Sequence, residues 1–189
     1  MPRSVLLAIA AFLVAAVAVA LVHKPSAAER ATDMRGFLQE VTSDIESCAA
    51  GVGESLTALR EVQAEHFSNT SDVSDGISVA QQGAANCAPA NNEQIDNLEN
   101  YQVPQSLDSF GLASAVTALV AWAAPNAQQV QSDVAQVLAA TTPQARSRSE
   151  AALGQALSKL NAQRALVDAP VSTAIKSLAM HSSPPRLPG

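Results

Sequence analysis

Two cysteines, Cys48 and Cys87, carry the most specific chemistry in this chain of 189 residues. Each lies on the apolar side of a stretch with helical periodicity, and the midpoint between them falls in the polar stretch that separates the two. Facing positions of an antiparallel helical hairpin have this arrangement. We therefore predict a Cys48–Cys87 disulfide, worth about 4 kcal/mol in the loop-entropy model less any strain, with two buried free thiols as the alternative.

Catalytic and metal-binding residues show no comparable pattern. Catalysis needs a nucleophile with a base in reach, or paired carboxylates in a pocket, and the sequence indicates neither, so we expect no enzyme. The three histidines, His23, His66 and His181, are far apart in the sequence, and it contains no haem-attachment motif. We therefore expect no metal site and no cofactor.

The single tryptophan, Trp122, stands among alanines just before Pro125. Most isolated tryptophans in helices fill a core or an interface, and this is our default interpretation. The alternative hypothesis is a small-molecule pocket that a kink at Pro125 opens, with Trp122 in its lining and with Tyr101 and the asparagine-rich stretch 88–106 at its rim. Unchanged ligand binding in a Trp122→Ala variant would contradict this hypothesis.

Charge is distributed unevenly along the chain, whose formal net charge is −6. Residues 36–143 contain thirteen acidic side chains and a single basic one, Arg60, whereas residues 144–189 contain six basic side chains against Glu150 and Asp168. We expect no nucleic-acid partner, because phosphate contacts need clustered lysine and arginine. The acidic and basic parts are expected to pack side by side and to neutralise one another.

Apolar residues recur every three or four positions in four long stretches, which predicts the helices that position these side chains. The helices are expected at about 33–65, 73–87, 107–140 and 143–180, with a short one near 93–101. The expected caps are Thr32 or Asp33, Ser71 or Asp72, and Thr142 followed by Pro143. Gly51 and Gly53 either weaken the middle of the first helix or let another helix approach closely.

These elements predict an all-α fold, an antiparallel four-helix bundle preceded by an N-terminal hydrophobic helix. The third helix is expected either to kink at Pro125 or to restart there with Pro125 in a first turn, and the fourth is expected to kink at Pro170. Because the chain has few aromatic residues, its core must consist of small aliphatic side chains, and this favours closely packed helices over a β-sandwich.

Residues 5–22 form an uninterrupted apolar run near the N-terminus. In a helix this run spans about 27 Å, slightly less than the hydrocarbon core of a bilayer, which favours a membrane anchor. Two small-x-small patterns, which end at Ala20 and Ala28, favour cleavage by a signal peptidase instead, and both possibilities stay open. An even number of cysteines behind an export signal predicts an oxidising compartment outside the cytoplasm.

The chain is therefore expected to have three parts: a signal peptide or membrane anchor over 1–28, an extracytoplasmic helical bundle over 29–181, and a disordered tail over 182–189. The expected function is that of an exported or membrane-tethered module that acts by protein–protein contact, as an accessory subunit or envelope scaffold. The alternative is a secreted protein that holds an apolar small molecule between its helices. The membrane is a further partner, through residues 5–22, if that segment is uncleaved.

Overall fold

The computed structural model describes residues 24–184 and, within them, all side chains except those of residues 122 and 123. This part of the chain is all-helical and contains no strand, which confirms the predicted fold class. Its six α-helices are α1 (Ala27–Ala64), α2 (Thr70–Asn86), α3 (Glu93–Glu99), α4 (Leu112–Ala118), α5 (Ala124–Ala139) and α6 (Pro143–Ser177). Short 3₁₀ turns span Pro89–Asn91 and Gln105–Phe110, and a π-helical turn, Leu119–Ala123, joins α4 to α5.

The apolar segment 5–22 and its predicted helix lie outside the described residues. Within residues 24–184, none of the helices combines the length and the hydropathy that crossing a bilayer requires.

The first helix begins earlier than the sequence periodicity indicates. Ser26, and not Thr32 or Asp33, is its N-cap: the Ser26 hydroxyl accepts the Glu29 N–H at 3.1 Å, and the Glu29 carboxylate accepts the Ser26 N–H at 3.3 Å. This reciprocal pair is a capping box, which the spacing Ser-x-x-Glu favours. The predicted start is therefore wrong by about two turns.

The other two predicted caps have different outcomes. Thr142 does cap α6, because its hydroxyl accepts the Ala145 N–H at 3.2 Å and Pro143 follows as the first helical residue. The cap of α2 is Asn69, whose carboxamide oxygen accepts the Ser71 N–H at 3.1 Å, so the expectation of Ser71 or Asp72 is wrong.

Three helices meet at the predicted disulfide. Helices α1, α2 and α5 pack against one another, and the Cys48–Cys87 bond, with a Cα–Cα distance of 4.6 Å, joins α1 to the residue that ends α2. Gly51 lies one turn after Cys48, and a Cβ atom added there would lie 3.0 Å from the Gly83 Cα on α2. Glycine at both positions thus lets the two backbones approach closely, and the disulfide prediction is confirmed.

Two contacts hold the ends of the helices together. The Arg146 guanidinium at the start of α6 lies 3.4 Å from the ring centroid of Phe67, in the turn between α1 and α2. Near the other end of α1, the Ser106 hydroxyl donates to the Asp33 carboxylate. Helix α6 packs against α5 and α4, so it runs back towards the end of the molecule where α1 begins.

The segment predicted as one helix over 107–140 is divided. Residues up to Phe110 form a 3₁₀ turn, Gly111 adopts a left-handed conformation with φ +71°, and α4 then begins at Leu112. In the π-helical turn, the Ala124 N–H donates to the Leu119 carbonyl five residues earlier. Since Pro125 has no N–H, a break in the regular ladder at this point is expected. Helix α6 continues through Pro170, and the kinks at the two prolines stay predictions.

Within residues 24–184, no direct ion pair joins the acidic part to the basic part, as the predicted neutralisation would require. The ion pair found among the described residues joins Arg164 to Asp168 at 3.4 Å, and both residues belong to α6. The described residues 181–184, after α6, have no regular secondary structure, and Ser182 and Ser183 lie beside Arg35 and Leu38 of α1. Disorder over 182–189 stays a prediction.

Candidate ligand-binding groove

The asparagine-rich connection between α2 and α4 is held to α1 by Asn92. Its amide nitrogen donates to the Asn86 carbonyl at 2.6 Å and to the Ser47 hydroxyl at 2.8 Å, and its amide oxygen accepts the Gln94 N–H at 3.0 Å. One side chain therefore joins the end of α2, the start of α3 and the side of α1. This network fixes where α3 begins.

Helix α3 places Tyr101 against α1. Ile95 and Leu98 are fully buried, so the short helix is packed firmly although it has only seven residues. Tyr101 lies two residues after its end. It is half-buried, and its ring centroid lies 6.0 Å from that of Phe37 on α1, with the two planes tilted by 55°. Tilted rings at this distance attract one another, which holds the tyrosine ring in a defined position.

The opposite wall comes from α4 and the π-helical turn. Its lining residues follow one another at helical spacing, so they share one side of the segment. They are Ala113, Val116, Thr117, Val120 and Ala121. Leu112, Ala115 and Leu119, on the other side of the same segment, are buried in the core and fix its orientation.

Between these walls lies a groove of about 460 Å³, which we call the Tyr101 groove. Val103 adds to its apolar lining, and Glu99 and Gln102 supply polar groups. The volume lies within the range of small-molecule sites, and apolar and polar groups line the groove in similar proportion. The groove can therefore hold the apolar part of a small ligand beside a carboxylate and a tyrosine ring.

Negative charge surrounds the tyrosine end of the groove. Burial raises the pKa of Tyr101, and the carboxylates of Glu40, Asp33 and Asp44 raise it further. Asp44 is itself only 5% exposed, and its Oδ2 has no hydrogen-bond partner in the described part of the chain. Burial and the neighbouring Glu40 raise the pKa of Asp44 as well. The local potential thus favours positive charge.

The sequence-predicted site residues have separate outcomes. Tyr101 does line a groove, together with Ala121, which precedes Trp122 in the chain. The side chain of Trp122 lies outside the described part, so its role in ligand binding stays a prediction. Among the described residues, no group of three or more histidine, cysteine or acidic side chains is placed to hold a metal ion.

Sequence reasoning missed the valines of the groove and a buried glutamine. Val116 and Val120 have the i, i+4 spacing of core residues, and Val116 is itself buried, so the spacing alone does not indicate a groove. Gln131 is fully buried beside the disulfide, where its Nε2 lies 3.6 Å from the Cys87 Sγ and its Oε1 has no hydrogen-bond partner in the described residues. A polar residue inside an apolar stripe was the available signal for Gln131.

Comparison of the chain with models of known protein families, with curated proteins and with solved structures gave no match. The function must therefore be inferred from the disulfide, the surface charge and the groove.

Proposed function

We propose that this protein is a non-enzymatic helical module of an extracytoplasmic compartment, which acts by binding a protein partner of complementary positive charge. The observation that carries the proposal is an acidic face on α1. Glu40, Glu54 and Glu61 are all exposed and, at 3.6 residues per turn, fall within an arc of about 60°.

Within residues 24–184, no basic side chain forms an ion pair with this acidic face. The ion pair of the described part, Arg164–Asp168, lies within α6, and α6 packs against α5 and α4. A row of exposed carboxylates steers a basic partner towards the surface and raises the association rate, an effect that salt weakens. This supports a role in recognition.

The disulfide supports the proposed compartment. A bonded cysteine pair persists in oxidising surroundings and is rare where thiols are kept reduced. In this proposal the apolar segment 5–22 directs export and either anchors the module in the membrane or is removed, and the membrane is a partner only in the first case.

The proposed architecture is an antiparallel four-helix bundle. Helices α2 and α3 together form its second member, and α4 with α5 forms its third, next to α1 and α6. The contact of Arg146 with Phe67 near one end and that of Ser106 with Asp33 near the other support this arrangement. In it, the acidic face of α1 lies outside the bundle.

The test is crosslinking of the full-length protein in intact cells of its source organism with a membrane-impermeant reagent. One variant combines Glu40→Gln, Glu54→Gln and Glu61→Gln, and the matched control combines three exposed acids from other parts of the chain, Asp96→Asn, Asp108→Asn and Glu150→Gln. We expect a discrete adduct that the first variant loses and the control retains. An adduct that survives equally in both variants, or no adduct in the wild type, would contradict the proposal.

A second candidate function is favoured by the Tyr101 groove, which has the size of a small-molecule site and offers aliphatic side chains beside polar ones. In this case the module binds a ligand with an apolar part. The test is a screen of apolar and amphipathic compounds by thermal shift, with Val120→Gln as the variant and Ala139→Gln, an exposed position on α5, as the control. Compounds that stabilise the wild type and the control but not Val120→Gln support this function, and their absence contradicts it.

A further inference from the structure

We propose that the Tyr101 groove binds an organic cation with an apolar body, such as an alkyl- or arylammonium compound. The proposal rests on the second candidate function and names the class of ligand. Its observations are aliphatic side chains, an aromatic ring and the Glu99 carboxylate around one groove of about 460 Å³.

The apolar body is accommodated by the wall of α4. Val103, Val116 and Val120 offer aliphatic surface, and burial of apolar ligand surface against them favours binding. Thr117 and Ala121 are exposed and small, so they leave the groove open to solvent and to a ligand that enters from outside.

The cationic group is recognised by the tyrosine and by the carboxylates. A quaternary ammonium group binds to the face of an aromatic ring, and the contact with Phe37 keeps the Tyr101 ring from turning away. Glu99 lines the groove directly, and its exposed carboxylate attracts the cation. Glu40, Asp33 and Asp44 on α1 raise the pKa of Tyr101, so they add to the negative potential at the tyrosine.

An anionic ligand does not fit this environment. Among the described residues that line the groove, Glu99 is the one with a charged side chain. The groups on α1 that raise the pKa of Tyr101 are all acidic. Charge complementarity therefore selects a cation over an anion or a neutral molecule of the same shape.

The test is equilibrium dialysis of the full-length protein against benzyltrimethylammonium and against its neutral isostere, neopentylbenzene. We expect the cation to bind about tenfold more tightly than the isostere, since a cation–π contact that is partly shielded from water is worth about 1.4 kcal/mol. Raising the ionic strength should reduce the difference, because the exposed Glu99 carboxylate is screened.

The variants locate the binding in the groove. Thr117→Lys adds a competing ammonium group at an exposed position, so it should weaken binding of the cation at least tenfold without affecting the fold. Glu99→Gln should weaken it two- to fivefold, whereas Glu93→Gln, an exposed acid at the other end of α3, should leave it unchanged.

The outcomes separate this proposal from the candidate function on which it rests. Equal binding of cation and isostere, lost in Val120→Gln, would overturn the cation proposal and retain a ligand-binding groove. Binding of neither probe would overturn the cation proposal, and an empty thermal-shift screen would then remove the second candidate function too. Cation binding that is unchanged in Thr117→Lys would place the site elsewhere and also overturn the proposal.

Discussion

Gly51 and Gly53 are two residues apart on α1 and have opposite surroundings. A Cβ atom on Gly51 would lie 3.0 Å from the Gln131 Nε2 and from the Gly83 Cα, whereas nothing lies within 4 Å of a Cβ on Gly53. We expect Gly51→Ala to lower the free energy of unfolding by about 1 to 3 kcal/mol through overpacking. Gly53→Ala should raise it by about 0.5 to 1 kcal/mol, because alanine is the better helix former.

Urea denaturation of the two glycine variants measures this difference directly. Two variants of equal stability would show that α1 and α2 are not in close contact at this point.

Asp44 should make the stability of the protein depend on pH. Its pKa in the folded state is raised by burial and by Glu40, so the folded chain holds this proton more tightly than the unfolded chain does. The stabilising contribution is therefore fully present below the ordinary pKa of an aspartate and is lost as the pH rises through the raised value.

Asparagine does not titrate, so replacing Asp44 with asparagine removes the loss of stability at higher pH. We expect Asp44→Asn to be more stable than the wild type by about 1 kcal/mol at pH 7, with the difference shrinking towards pH 3. The control is Glu46→Gln, an exposed position on the same helix that should change stability by less than about 0.5 kcal/mol. Thermal melts from pH 3 to pH 8 measure both, and a pH-independent difference would refute the assignment.

At the scale of the element, the start of α1 depends on its capping box. Ser26→Ala removes the acceptor of the Glu29 N–H and should cost the first turn about 1 kcal/mol. Hydrogen exchange at the Glu29 amide reports this opening, and Ser43→Ala, an exposed position within α1, serves as the control. Unchanged protection at Glu29 would mean that the turn is held by other contacts.

The long amphipathic helices were predictable because the core residues of α1, α2 and α6 recur at helical spacing over many turns. The start of α1 was missed because Ser26 precedes any apolar periodicity, although Ser-x-x-Glu is readable as a capping box. The third stretch is divided at Gly111, which has a positive φ, and near Pro125, which has no N–H, whereas the helical periodicity continues across both positions and indicates a single helix.

The candidate site was predictable only in part. Tyr101 was identified because an aromatic residue in a polar connection is conspicuous, and the structure places it in a groove. The burial of Asp44 was not predictable, since a carboxylate at a polar position of an amphipathic helix normally faces solvent. It is covered because α3 and the residues after it pack on that side of α1, a contact between distant parts of the chain.

At the scale of the whole molecule, the disulfide joins two of the three helices that form the centre of the core. Its loop closure spans 39 residues, so replacing both cysteines with alanine should lower the free energy of unfolding by about 4 kcal/mol. Because both cysteines are nearly inaccessible to solvent, a reductant should act slowly on the folded protein and quickly on the unfolded one. Denaturation of the double variant and timed thiol labelling of the wild type measure these effects, and equal labelling rates would contradict the buried position.

We propose that this module works outside the cytoplasm as a disulfide-bonded body. The most direct test is fractionation of cells of the source organism, with thiols alkylated at lysis and the intact mass measured in the cytosol, washed membranes and medium. We expect a chain that lacks two hydrogen atoms and carries no alkyl group, because its cysteines are bonded to each other. We expect it to be full-length in the membrane, or shortened after Ala20 or Ala28 in the medium. A doubly alkylated, full-length chain confined to the cytosol would contradict it.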